Sequence, residues 1–259
     1  MNTPNGSLRP STTPGAVVDL TPTGQGMLRL PPGSLDRYRL AQLDDYGHSS
    51  RGRARGHFLW NAPMAFHVRA RASHPTIPGT WGFGLWNAPL SLSLGFGGKR
   101  ILPALPNTAW FFFASPENYL SLRDDLPANG ALAATFHAPK LPILLLAPGI
   151  LALPLLAIRP AARLFRRIAA SIVKQDASAV DISLTQWHDY AFDWQKDRVV
   201  FRVDGQTVLD TPISPRGPLG MVIWMDNQFA AWKPNGKVQW GVLGCEEESW
   251  MEFEALKIL

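Results

Sequence analysis

Cysteine is almost absent from this chain: Cys245 stands alone among 259 residues. A single thiol excludes an internal disulfide and fits a reducing compartment, so a cytoplasmic protein is expected. Charge is also scarce, at 17% of residues, where about 25% is usual for a globular domain. The histidines at 48, 57, 67, 74, 137 and 188 never fall at His-x-x-x-His spacing. With no cysteine cluster beside them, a zinc site is not expected, nor is an organic cofactor. A phosphate-binding glycine loop, a nucleophile elbow and a dinucleotide fingerprint are all missing, which removes the commonest nucleotide and acyl-transfer enzymes. The opening MNTPNGSLRPSTTPG has no apolar core, so it lacks signal-peptide character. Residues 1–25 are expected to form a disordered lead.

What the chain has in quantity is punctuation, with 22 glycines and 23 prolines. Between them run short strand-like stretches: GMLRL, YRLAQL, MAFHVRARA, TWGFGLWN, TAWFFFAS and ALAATFH. A second series follows, AVDISL, HDYAFDW, RVVFRVDG, QTVLDTP, LGMVIWMD, KVQWGVL and SWMEFEALKI. Period-two alternation is plain in Phe66, Val68 and Ala70, with His67, Arg69 and Arg71 on the opposite face. Strand patterns without a helical repeat predict an all-β sandwich of two antiparallel sheets over 26–259, interrupted by an insertion at 138–176.

One stretch carries a resemblance. WHDYAFDWQKDRVVFRVDGQTV, Trp187 to Val208, is similar to a signature of the concanavalin A-like jelly roll, and of glycoside hydrolase family 16 in particular. The matching pieces are Trp187, Tyr190, Asp193-Trp194, Asp197-Arg198 and Val203-Asp204-Gly205. In physical terms it is a hairpin turning at DWQKDR, with Asp204-Gly205 turning into a third strand. The likeness extends over about 64–259 and implies a jelly-roll fold. It also implies a pair of carboxylates on one strand, in a Glu-x-Asp-x-x-Glu arrangement. The strand in the matching place, ALPNTAWFFFASPENY, offers Trp110, Phe111, Phe112 and Phe113 and no acid, with Glu117 beyond Pro116. The two-carboxylate route therefore lacks its residues, and shared fold does not carry shared function.

The insertion is unlike the rest. From Leu141 to Ile158 no side chain is charged or hydrogen-bonding. Six basic residues and only Asp176 on the acidic side fall between Lys140 and Asp176, and outside that window the two signs balance. The net charge of +5 thus belongs to one segment, which argues against nucleic acid as a partner. Arg51, Arg53 and Arg55 read as a solvated glycine-rich loop. As a helix the apolar run would span about 27 Å, close to a bilayer core. Pro142, Pro148 and Pro154 break it, and one crossing would separate the two halves of the sandwich. After Pro160, Ala161, Leu164, Phe165, Ile168 and Ile172 form an apolar stripe with Arg163, Arg166, Arg167 and Lys174 largely off it. That pattern predicts a peripheral attachment to anionic lipid, with Leu144, Leu145, Ile150, Arg163, Phe165, Arg166 and Arg167 as contacts. An apolar flap over the protein's own groove is the other reading.

A groove without acids is an aromatic one. Trp81, Phe83, Trp86, Trp110, Phe112, Trp224 and Gln228 are the expected ligand-binding residues. Alternation in MVIWMDNQ puts Trp224, Asp226 and Gln228 on one face, where an acid between aromatic walls gains proton-donor character. Asp226 is the candidate catalytic acid. Asp44, Asp45, Tyr46 and His48 read as a turn or a structural calcium site. Three functions stay open: a membrane-surface carrier or isomerase/cyclase-type enzyme, with Asp226 as acid, for an apolar or amphipathic lipid- or isoprenoid-like ligand; a lectin-like sugar binder; and a hydrolase with carboxylates relocated to Asp44, Asp45, Glu117 or Asp226.

Overall fold

The computed structural model describes residues 2–3, 6–34, 37–46, 58–88, 104–140 and 152–259. A strand that packs one face and wets the other must alternate, and MAFHVRARA does so. In Met64–Ala72 every second side chain, from Met64 through Ala72, is buried, while Ala65, His67, Arg69 and Arg71 reach the surface. The same alternation in His188–Trp194 buries Tyr190, Phe192 and Trp194.

Most strands assemble into two seven-stranded sheets, antiparallel at every step, stacked as a jelly-roll sandwich, while Gln228–Trp232 pairs with Val238–Val242 in a separate hairpin. The first sheet runs in the order Lys174–Ala179, Gly130–His137, Thr108–Ala114, Thr80–Trp86, Gly220–Asp226, Leu40–Asp44 and Arg9–Thr12. The second runs Gln206–Thr211, Val199–Val203, His188–Trp194, Met64–Ala72, Ser249–Ile258, Gly26–Leu30 and Val17–Leu20. Between them Phe66 stacks on Phe192 at 4.9 Å, and Tyr190 meets the edges of Phe83 and Phe111 at 5.0 Å each. Removing one such ring costs about 3–5 kcal/mol. The outer face of the second sheet is charged. Arg69 pairs with Glu254 and Arg71 with Glu252, both at 2.7 Å, and both guanidinium groups lie over Trp187.

The hairpin anticipated in Trp187–Val208 is present. His188–Trp194 and Val199–Val203 pair in register, and Gln195 N–H donates to the Arg198 carbonyl across the turn. At the next turn Asp204 has φ 49° and Gly205 φ 78°, a pair of left-handed residues that suits a tight two-residue hairpin.

Two expectations are corrected. Residues 1–25 are not a disordered lead throughout: Arg9–Thr12 pairs with Leu40–Asp44, and Val17–Leu20 with Gly26–Leu30. These are short edge strands, where Pro10 is tolerated because its missing N–H faces no partner. AVDISL is also not a strand beyond Ala179; the edge strand lies earlier, at Lys174–Ala179, and completes the first sheet.

The insertion leaves and returns through neighbours. His137 is paired with Lys174, so the intervening chain is an excursion from one edge of the first sheet. Among its described residues are a 3-10 turn, Leu153–Ala157, and an α-helix, Arg159–Ile172. No helix among the described residues is long and apolar enough to cross a membrane. Leu144, Leu145 and Ile150, and likewise His48, Arg51, Arg53, Arg55 and His57, lie outside the described residues.

Candidate functional site

The outer face of the first sheet is built by three central strands. In Thr80–Trp86 the sequence TWGFGLW alternates aromatic and glycine. Trp81, Phe83 and Leu85 enter the core, leaving Gly82, Gly84 and Trp86 on the outer face. Trp81 and Phe83 are therefore corrected: at 2% and 0% exposure they pack between the sheets, Trp81 stacked on Phe113 at 3.6 Å. In Thr108–Ala114, Phe111 and Phe113 enter the core, and Trp110 and Phe112 face out. In Gly220–Asp226, Met221, Ile223 and Met225 go inward, while Val222, Trp224 and Asp226 go outward.

The glycines have a purpose. A Cβ on Gly82 would sit 2.9 Å from the Trp224 ring, and one on Gly84 2.6 Å from the Trp110 Cα. Their absence lets large rings from both neighbouring strands lie across Thr80–Trp86. The result is a connected aromatic surface. Trp86 and Trp224 are parallel within 5° at 6.1 Å. Trp110 lies 5.3 Å from Trp224 and 5.0 Å from Phe112. Tyr46 and Phe58 extend the surface at one end, 5.2 Å apart. Trp224 and Phe112 are only 5% and 8% exposed, whereas Trp86 and Trp110 are half-buried.

Polar groups border the rings at both ends. At one, Trp86 Nε1 donates to the Tyr46 hydroxyl at 2.9 Å, and Gln42 Nε2 donates to Asp44 Oδ2 at 2.9 Å. At the other, Trp224 Nε1 donates to Thr80 Oγ1 at 3.2 Å, and Thr80 donates to Asp226 Oδ1 at 2.8 Å. Tyr38 donates to Asp226 Oδ2 at 3.3 Å, and the Gln228 N–H to Oδ1 at 3.3 Å. Burial is the dominant influence on Asp226 and pushes its carboxyl up to about 7, against the opposing hydrogen bonds from Thr80, Gln228 and Tyr38. Trp110 Nε1 and Gln228 Nε2, both shielded from water, are among the buried polar atoms with no hydrogen-bond partner among the described residues.

Of the residues anticipated from sequence, the structure brings Trp86, Trp110, Phe112, Trp224 and Asp226 onto one face, with Gln228 beside Asp226. Gln42, Thr80, Tyr38 and Phe58 were not anticipated. Alternation in LAQLDDY was a usable signal for Gln42 and Asp44, since Ala41 and Leu43 are fully buried in the core. Asp45 is a structural anchor. Its carboxyl accepts from Trp60 Nε1 at 2.5 Å and from the Met221 N–H at 2.8 Å, and burial raises its pKa. His188 is held by Asp204 at 2.6 Å and the Ser183 carbonyl at 3.0 Å. Among the described residues no group of three His, Cys, Asp or Glu is placed to hold a metal ion. A depression of about 990 Å³ lies elsewhere, lined by Gly33, Thr76, Glu117, Leu243 and Cys245. It includes none of the aromatic residues of the outer face.

No protein-family model and no curated protein sequence matches the chain. Solved structures of similar shape include a putative β-glucanase from Mycobacterium abscessus, at 11% identity and TM-score 0.47, covering 93% of this chain and 78% of that one. A glycoside hydrolase family protein from Mycobacterium thermorestibile follows at 12% and 0.46, covering 91% and 76%. A carbohydrate-binding module from Bacillus subtilis matches at 8% and 0.40, covering 98% and 96%. The chain is thus a jelly-roll sandwich on its own sheet order, with glycoside hydrolase and carbohydrate-binding proteins among the solved structures similar to it.

Proposed function

We propose that this protein binds carbohydrate on the outer aromatic face of its first sheet and does not cleave it. The observation that carries the reading is Trp110, whose indole N–H has no acceptor among the surrounding rings. A shielded donor left unmade costs about 1–3 kcal/mol. A ligand hydroxyl supplies the missing acceptor once the half-buried Trp110 ring shifts to admit it, while the sugar's C–H face stacks on the indoles. Gln228 Nε2, equally unpartnered, asks for the same chemistry. A pure hydrocarbon ligand satisfies the rings and leaves both donors stranded, which is why a sugar is favoured over an isoprenoid.

Cleavage is disfavoured by spacing. Asp44 is paired opposite Val222, four residues from Asp226 along the same strand. At about 3.3 Å per residue the two carboxylates are separated by roughly 13 Å. Glycosidases need a pair roughly 5–9.5 Å apart. Asp226 acts here as a positioning group, since Thr80 links its carboxyl to the Trp224 indole.

Isothermal titration against a panel of neutral oligosaccharides tests the reading. Binding should be weakened about tenfold or more by Trp224→Ala, at 1–3 kcal/mol per lost stacking partner. No reducing ends should accumulate. Binding of a long-chain alcohol with no response to any glycan would overturn the assignment.

A further inference from the structure

The helix Arg159–Ile172 is inside out. An amphipathic helix on a soluble protein normally packs its apolar stripe and shows its charges. Here the side facing the body carries Ala162, fully buried, and Arg166, which is corrected as a lipid contact because it is 6% exposed and bonded to the body. Arg166 is accommodated because its guanidinium donates to the Trp232 carbonyl, the Ser121 carbonyl and Asp124, and lies over the Tyr119 ring. Trp232 Nε1 in turn donates to the Ala162 carbonyl at 3.1 Å. With that side anchored, the apolar stripe points away: Leu164 is 56% exposed, Ile168 45% and Ile172 38%. The preceding turn continues it with Leu153 at 50%, Leu155 at 45% and Ile158 at 54%. Nine large apolar side chains are exposed among the described residues, and these six are among them. Such concentration marks a contact surface rather than scatter.

We infer that this surface docks on an anionic lipid bilayer, with the helix lying in the interface plane. The charge around the stripe selects the occupant. Arg159, Arg163, Arg167 and Lys174 are exposed beside it, and the nearby Asp124 is already engaged by Arg166. A second copy of the same patch would bring arginines against arginines, whereas phosphate headgroups complement them. The stripe supplies apolar burial and the arginines reach sideways to the headgroups. The inference does not depend on the sugar reading. The two surfaces are linked within the body, since Arg166 lies over Tyr119 and the neighbouring Leu120 packs against the aromatic cluster.

The test is co-sedimentation of the full chain with phosphatidylcholine vesicles containing phosphatidylserine, and with pure phosphatidylcholine. The expected result is binding to the anionic vesicles, weakened by added salt. The pair Leu164→Glu and Ile168→Glu should lower partitioning about tenfold, and the pair Arg163→Glu and Arg167→Glu should do likewise. All four positions are exposed, and Arg163 gives up one exposed hydrogen bond, to the Asn235 carbonyl, so melting temperature should fall by at most a few degrees and glycan affinity should stay unchanged. Partitioning that neither pair alters overturns the proposal. So does a wild-type dimer in analytical ultracentrifugation that Leu164→Glu converts to monomer, because a second copy would then be the occupant.

Discussion

Asp226 is a buried carboxyl held by the Thr80 and Tyr38 hydroxyls and the Gln228 N–H, and burial sets its behaviour. Unfolded, it titrates near 3.8; folded, near 7. Between those values the folded chain holds a proton that the unfolded chain has released, so this group's contribution to stability falls as pH rises through that window and levels off above it. Asp226→Asn stays uncharged and should remove the slope. In urea titrations, the stability lost between pH 5 and pH 8 should shrink by roughly 2–3 kcal/mol, at about 1.4 kcal/mol per pH unit below the folded value. An unchanged slope would place the ionisation elsewhere. Gly82 works by what it lacks. Gly82→Ala puts a Cβ 2.3 Å from the Phe111 carbonyl oxygen and against the Trp224 ring. It should cost about 1–3 kcal/mol in thermal unfolding and weaken sugar binding together with it, since Trp224 must move.

The helix Arg159–Ile172 is held to the body largely by one side chain. Arg166→Ala strands two carbonyls and removes the contact with Tyr119, so the helix should open more readily by roughly 2 kcal/mol. Hydrogen exchange should show its amides exchanging about thirtyfold faster, with those of Met64–Ala72 and His188–Trp194 unaffected. Uniform acceleration would mean that the helix and the sandwich open together. The helix also marks a limit of sequence reading. Its stripe of Leu164, Ile168 and Ile172 was legible from spacing alone. Which side meets the body was not, because that depends on carbonyls at Ser121 and Trp232 that only the fold brings to Arg166. Strands tell the same story. MAFHVRARA and HDYAFDW were legible throughout, since burial on one face imposes their alternation, whereas SWMEFEALKI changes phase at a bulge after Glu254 that its pattern does not announce. Arg9–Thr12, Val17–Leu20, Lys174–Ala179 and Gln228–Trp232 were not, being short edge or hairpin strands with little pattern. TWGFGLW misled for another reason: its aromatics occupy both phases, and the glycines that decide the outward face carry no side chain to read.

At the scale of the whole molecule, one sandwich carries two different surfaces around its first sheet. The outer face of that sheet gathers indoles with polar ends, and the excursion from its edge presents an oily, basic helix. The central claim is that the indoles of that face meet a sugar. The most direct measurement is the indole N–H region of a nitrogen-15 NMR spectrum, recorded while an oligosaccharide that binds is titrated in. The ten tryptophans give separate signals, and Trp110→Phe identifies one of them. The signals of Trp86, Trp110 and Trp224 should shift, with Trp110 moving downfield as its free N–H gains an acceptor. Trp60 and Trp194, already bonded to Asp45 and Ser214, should stay still. Shifts confined to Trp187, Trp240 and Trp250, away from that cluster, or no indole shift on saturation, would contradict the account.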